Sequence, residues 1–148
     1  MPTVQWLPWS AAAFARARAE RKPVLLSIAA PWCQGCREMD RTSYADPAIV
    51  TLIDRGFVPV RVDADRRPDI GERYSLGGWP TTAFLDADGQ VVGGGTFIAH
   101  DRMPAVLARV AEAFATRADE MTAVSAPAVT SPSDVQSESG GEDGLLTR

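Results

Sequence analysis

The chain has 148 residues, 45% of them hydrophobic, and a formal net charge of −4 at neutral pH. That length suits one domain with a tail, and the apolar share is enough for a core. The negative balance offers no field to draw nucleic acid or an acidic membrane, and no run approaches the ~20 apolar residues of a membrane span.

The opening stretch, MPTVQWLPWSAAAFARARAE, has no early basic cluster leading into an apolar run, so a secretory leader is not expected. The expected compartment is the cytoplasm, where a lasting structural disulfide is disfavoured and a transient one is compatible with the surroundings. The first helix should begin at Ser10, whose side chain can cap free N–H groups, with Phe14 and Ala17 on its apolar face. Trp6 and Trp9 precede that cap and are expected to pack on the helix end as a hydrophobic staple.

Pro23 stops this helix, and VLLSI at 24–28 reads as a strand buried on both faces. After Pro31 a helix should run through both cysteines to about Tyr44. Asp46-Pro47 is a cap with a first-turn proline, followed by inward-facing Ile49, Val50 and Ile53 and a stop at Gly56. FVPVRV at 57–62 is the next strand, with Pro59 indicating an irregular or edge position. A short helix over 65–74 should bury Ile70 and Tyr74. A hairpin follows: a strand at 81–85, a turn at 86–89 and a returning strand at 90–92. The last helix is expected from Met103 to about Arg117, with Val106, Leu107, Val110 and Phe114 at helical spacing.

From Asp119 onward Ala, Ser, Thr, Pro, Gly and acidic residues dominate without periodicity. Such composition buries too little apolar area to offset its ordering entropy. The expected organisation is therefore a folded domain at 1–118 and a disordered tail at 119–148. The order of elements predicts an α/β fold with a central mixed sheet flanked by helices on both faces.

Both cysteines of the chain, Cys33 and Cys36, lie three positions apart in PWCQGC. Three readings are open: a redox pair, two buried thiols, or part of a zinc site. Zinc wants four ligands, whereas the chain has two cysteines and one histidine, His100, so no metal is expected. At i and i+3 on a helix the cysteines share a face and come within disulfide reach. Cys33 at the helix start would meet unpaired N–H groups and the positive dipole end, which favour a thiolate. Cys36, one turn deeper, could then resolve a mixed disulfide.

Three separated features resemble the thioredoxin superfamily. They are WCQGC at 32–36 between a buried strand and a helix, RYSLGGWPT at 73–81, and the closing hairpin and helix. A narrower similarity runs through QWLPWSAAAFARARAERKPVLLSI, VDADRRPDIGERY, GGWPTTAFLDADGQ and GGGTF. These resemble the thioredoxin-like domain at the N-terminus of spermatogenesis-associated protein 20 and its bacterial relatives. The resemblance implies a thioredoxin-like fold and thiol–disulfide exchange without a cofactor. It implies Cys33 and Cys36 as the reacting pair, and Trp32, Trp79 and Pro80 around the substrate, with a cis peptide at Trp79-Pro80 beside the sulfurs. It also implies partners: a protein disulfide as substrate and a recycling reductase, with the chain acting as a monomer.

The chain departs from the pattern at several places. Gln34 and Arg37 stand where these relatives often carry histidine. Gly35 and Ser27 occupy the places of the usual proline and buried strand aspartate of thioredoxins. The relatives also continue into a helical barrel domain. These departures motivate the alternative of a redox-inactive binding module or accessory domain.

Other motifs have plainer readings. Asp63 and Asp65 are expected as loop carboxylates, with proton transfer near the site as the alternative. His100 is expected on a surface loop, DADG at 86–89 as a hairpin turn, and Arg66-Arg67 as solvated surface. Gly93–Gly95 should mark a bulge or a close backbone approach.

Overall fold

The structure is a computed structural model that describes residues 3–124. The chain divides into two units, 1–114 and 115–148. Among the described residues the first contains four strands, in the order β2-β1-β3-β4, with β1 (Val24–Ala29), β2 (Val58–Asp63), β3 (Thr81–Leu85) and β4 (Val91–Gly95). β1 is parallel to β2 and antiparallel to β3, and β3 is antiparallel to β4, so the sheet is mixed as expected. Around it lie α1 (Ala11–Glu20), α2 (Gln34–Arg41), α3 (Pro47–Gly56) and α4 (Pro68–Tyr74). The last helix, α5, spans Met103–Val124. It continues past the expected end near Arg117, through Ala, Asp, Glu and Met, of which Ala, Glu and Met are good helix formers. The rest of the expected disordered tail, 125–148, lies outside the described residues.

Alternation along the strands separates two cores. Val24, Leu26 and Ile28 of β1 pack with Val58, Val60 and Val62 of β2 against Ala13 and Ala17 of α1 and Ile70 and Tyr74 of α4. On the opposite face, Leu25 and Phe84 pack against Met39 of α2, Ile49 and Ile53 of α3, Phe57, and Met103 and Leu107 of α5. β1 is covered on both sides, which explains its unbroken apolar run.

Local signals produced most boundaries. Ser10 Oγ accepts from Ala13 N–H at 3.2 Å and starts α1, and Asp46 accepts from Ala48 N–H at 2.9 Å and starts α3 with Pro47 in its first turn. Arg21 closes α1 in the left-handed region at φ 56°. Pro59 does lie on an edge strand, and Leu7 covers part of that edge through a bridge to Val60. β4 extends through the three glycines. A Cβ on Gly94, at φ 144°, would stand 2.4 Å from the Thr82 carbonyl oxygen, so the close-approach reading of the run holds.

Two expectations need correction. The cysteine helix does not run unbroken to Tyr44: α2 ends at Arg41, and a short 3-10 turn covers Ser43–Ala45. The break lets Tyr44 enter the core while Met39 stays in it. The two tryptophans also do not act together. Trp9 packs on Phe14 of α1, with ring centroids 4.9 Å apart, as a staple should. Trp6 lies on the other face, edge-on to Tyr44 at 4.9 Å: Leu7, bridged to the β2 edge, points to the same face as Trp9, and in extended backbone the residue before it points the opposite way.

Candidate functional site around Cys33 and Cys36

β1 ends at Ala29, and the chain turns through Pro31 and Trp32 into α2. Cys33 is the N-cap residue of that helix: its Sγ accepts from Cys36 N–H at 3.1 Å. The two sulfurs are joined as a disulfide, with the Cα atoms 5.3 Å apart. A first-turn N–H thus points at Cys33 Sγ at the positive end of the helix, the arrangement that favours a thiolate there after reduction.

The Trp79-Pro80 peptide is cis and reaches this point from the start of β3. Trp79 packs against the small cluster of Ala30, Cys33 and Cys36. A Cβ on Gly35 would lie 3.0 Å from Pro80 Cδ and 3.9 Å from Trp79 O, so the residue between the cysteines leans directly on the proline segment. The Trp79 indole extends to α4, where a Cβ on Gly71 would be 3.3 Å from its Cη2. Cys33 is only 4% exposed and Cys36 5%. Both cysteines are thus largely covered, and Trp79 is the large side chain packed against their cluster.

Trp32 is 58% exposed yet fixed in direction, because its Nε1–H donates to both carboxylate oxygens of Asp65, at 3.1 and 3.3 Å. Asp65 in turn receives its backbone position from Asp63, whose Oδ1 accepts the Asp65 N–H at 2.8 Å. Asp63 is thus a turn-forming carboxylate as expected, whereas Asp65 anchors a residue of the site. Phe97, 46% exposed, also borders the cysteine loop, 3.5 Å from the Cβ position of Gly35. Sequence reasoning missed Phe97, since nothing near it in the chain points toward residue 35.

Behind Cys36 is a cleft of about 290 Å³ lined by Asp40, Arg61 and Asp63 among others. Arg61 donates to both oxygens of Asp40, at 2.8 and 3.2 Å, and to Ser27 Oγ at 3.2 Å, and its guanidinium lies 4.3 Å from the Trp6 ring centroid. Tyr44 is packed beside it; burial pushes its phenol up to about 12, partly opposed by the Arg61 charge. Among the described residues, Ser43 Oγ, Tyr44 Oη and Arg61 Nε are buried without a hydrogen-bond partner. Sequence reasoning marked Ser27 here but neither Asp40 nor Arg61. The available signal was the four-residue step from Cys36 to Asp40 on one helix.

The remaining candidates lie elsewhere. His100 is exposed and contacts Asp46 Oδ2 at 2.7 Å through Nε2, tying the loop before α5 to the cap of α3. Asp86 Oδ1 accepts from the N–H groups of Asp88 and Gln90, which makes DADG a hairpin turn. Arg67 is bonded to Asp69. Among the described residues there is no group of three or more His, Cys, Asp or Glu side chains able to hold a metal ion, and no helix long and apolar enough to cross a membrane.

The mixed sheet with helices on both faces, the cysteine pair at a helix start and the cis-proline beside it define a domain of the thioredoxin superfamily. The chain belongs to the family described as Thioredox_DsbH, protein of unknown function, DUF255, which matches residues 1–131. It is 37% identical over 102 residues to human spermatogenesis-associated protein 20, a match covering 64% of this chain and 13% of that protein. It is 34% identical over 104 residues to the thiol:disulfide interchange protein DsbD of Salmonella typhi, covering 61% of this chain and 18% of that one. The chain thus spans less than a fifth of either relative. Among solved structures, a thioredoxin from Thermus thermophilus matches with a TM-score of 0.67 at 22% identity, over 85% of this chain and 99% of that one, a likeness of fold.

Proposed function

We propose that this domain is a thiol–disulfide oxidoreductase that reduces protein disulfides. The observation that carries the reading is the Cys33–Cys36 disulfide at the start of α2, with Cys33 Sγ accepting a helix N–H and the Trp79-Pro80 segment packed against the pair. The name of the DsbD relative, a thiol:disulfide interchange protein, supports the same chemistry.

In the reduced protein the Cys33 thiolate attacks a substrate disulfide, forming a mixed disulfide and releasing one substrate thiolate. Cys36 then attacks Cys33 Sγ, restoring the internal disulfide and releasing the second substrate thiol. Two electrons pass to the substrate and are resupplied by a recycling reductase, in the cytoplasm on this reading. The protein needs no cofactor for these steps and acts as a monomer. Trp32 and Trp79 frame the approach. The Trp79 backbone beside Pro80 offers an N–H and a C=O to an extended substrate segment.

Reduction of insulin disulfides tests this. Cys33→Ser should abolish turnover, and Cys36→Ser should accumulate a mixed disulfide with substrate. Equal turnover by the wild type and Cys33→Ser would remove the proposal. A second reading, a binding module with idle thiols, is favoured by one observation: Cys33 is almost fully covered. Alkylation of reduced Cys33 against pH separates the two, since an idle thiol would titrate at or above the ~8.5 of free cysteine.

A further inference from the structure

The resolving step requires Cys36 to lose its proton inside the protein, and Ser27, the buried polar residue of β1 on that face, is not an acid. The cleft behind Cys36 contains two other carboxylates, Asp40 and Asp63. Asp40 follows Cys36 by four residues on α2, so their side chains are neighbours on one helix face. Both line the same cleft. Arg61 grips both oxygens of Asp40, and Arg61 is itself fixed by Ser27 Oγ and the Trp6 ring. Arg61 thus joins the helix acid to the strand position that lacks one.

We propose that Asp40, positioned by Arg61, accepts the Cys36 proton through water in this cleft during the resolving step. The inference rests on the oxidoreductase reading above. The Cys36 S–H bond breaks and its proton passes to the Asp40 carboxylate. The Cys36 sulfur forms its bond to Cys33 Sγ, and the bond between Cys33 and the substrate sulfur breaks. The substrate sulfur leaves as a thiolate with the electron pair, and Asp40 passes its proton on to solvent, returning to its ionised form.

The other charged groups at the cleft have separate engagements. Arg37 donates to the Pro31 carbonyl at 2.6 Å, and Asp63 Oδ1 holds the Asp65 N–H. Tyr44, packed beside Arg61, stays a neutral phenol across the working range.

Stopped-flow reaction of the reduced protein with the aromatic disulfide 5,5′-dithiobis(2-nitrobenzoate) resolves the two steps, because each releases one coloured thiolate. Asp40→Asn should leave the first release, by Cys33, unchanged. It should slow the second, by Cys36, about tenfold or more at pH 7, and the second rate should then rise with pH as an unassisted thiol does. Adding Ser27→Asp to Asp40→Asn should restore the second release, since the new carboxylate would stand beside the same guanidinium. An unchanged second release in Asp40→Asn, equal slowing of both releases, or slowing by Asp63→Asn instead would each overturn the assignment. Failure of the rescue in a folded double variant would count against it too. A wild type whose Cys33 yields no first release fails the oxidoreductase reading itself, and this inference with it.

Discussion

The two faces of the sheet do different work. The face covered by α1 and α4 is filled with Val, Leu, Ile and Ala, and its buried polar side chains are paired: Tyr74 Oη donates to the Gly89 carbonyl at 2.7 Å and Thr81 Oγ1 to the Gly78 carbonyl at 2.8 Å. The face covered by α2, α3 and α5 has an equally apolar centre, but toward the Cys36 end it admits Ser27, Thr82, Ser43, Tyr44 and the edge of Arg61, three of them with a buried atom left unpaired. Polar groups are costly to bury without partners. Among the described residues the unpaired buried atoms gather at one end of one face, beside the cysteine pair, while the opposite face has its buried side chains satisfied.

Adjacent residues of β1 offer the largest contrast. Leu26 is fully buried on the apolar face, and Leu26→Ala should lower the unfolding free energy by about 2–5 kcal/mol in urea titration. Ser27, its neighbour on the polar face, loses only the Arg61 hydrogen bond in Ser27→Ala, for about 1 kcal/mol by the same measurement. Comparable losses would show the two faces to be equally committed to stability.

The two tyrosines make a finer comparison. Tyr74→Phe removes a satisfied buried hydrogen bond and should cost about 1 kcal/mol. Tyr44→Phe removes a buried hydroxyl without a partner among the described residues and should be neutral or slightly stabilising. A shift of the denaturation midpoint downward by the same amount in both variants would contradict the distinction.

The smallest effect concerns the helix caps. α1 on the apolar face is capped by neutral Ser10, but α3 on the other face is capped by Asp46, whose carboxyl is held below the ordinary aspartate range by His100 and the Ala48 N–H. A carboxyl with a lowered folded-state pKa stabilises above its unfolded value, near 4, and loses that contribution as pH falls through the lowered one. Asp46→Asn keeps a good capping residue while removing the titration, so its stability should fall less steeply than the wild type's below about pH 4. Parallel acid limbs in the two proteins would show that this cap carries no pH dependence.

The amino-acid sequence by itself determined the elements and their type. Caps at Ser10 and Asp46, prolines at 47 and 59, the apolar run at 24–28 and the turn at 86–89 each act within a few residues, so local rules suffice to read them. The pairing of Cys33 with Cys36 and the approach of the Trp-Pro segment were also legible, the first from helical spacing and the second from resemblance. Only the tertiary structure decided what lies behind and around the sulfurs. Trp6 and Trp9 have the same local setting but part to opposite faces once Leu7 joins the edge of β2. Arg61 meets Asp40 across 21 positions, and Asp65 meets Trp32 across 33. These contacts depend on the register and twist that bring β2 beside α2, and a one-residue change of register would turn Arg61 to the other face of the sheet.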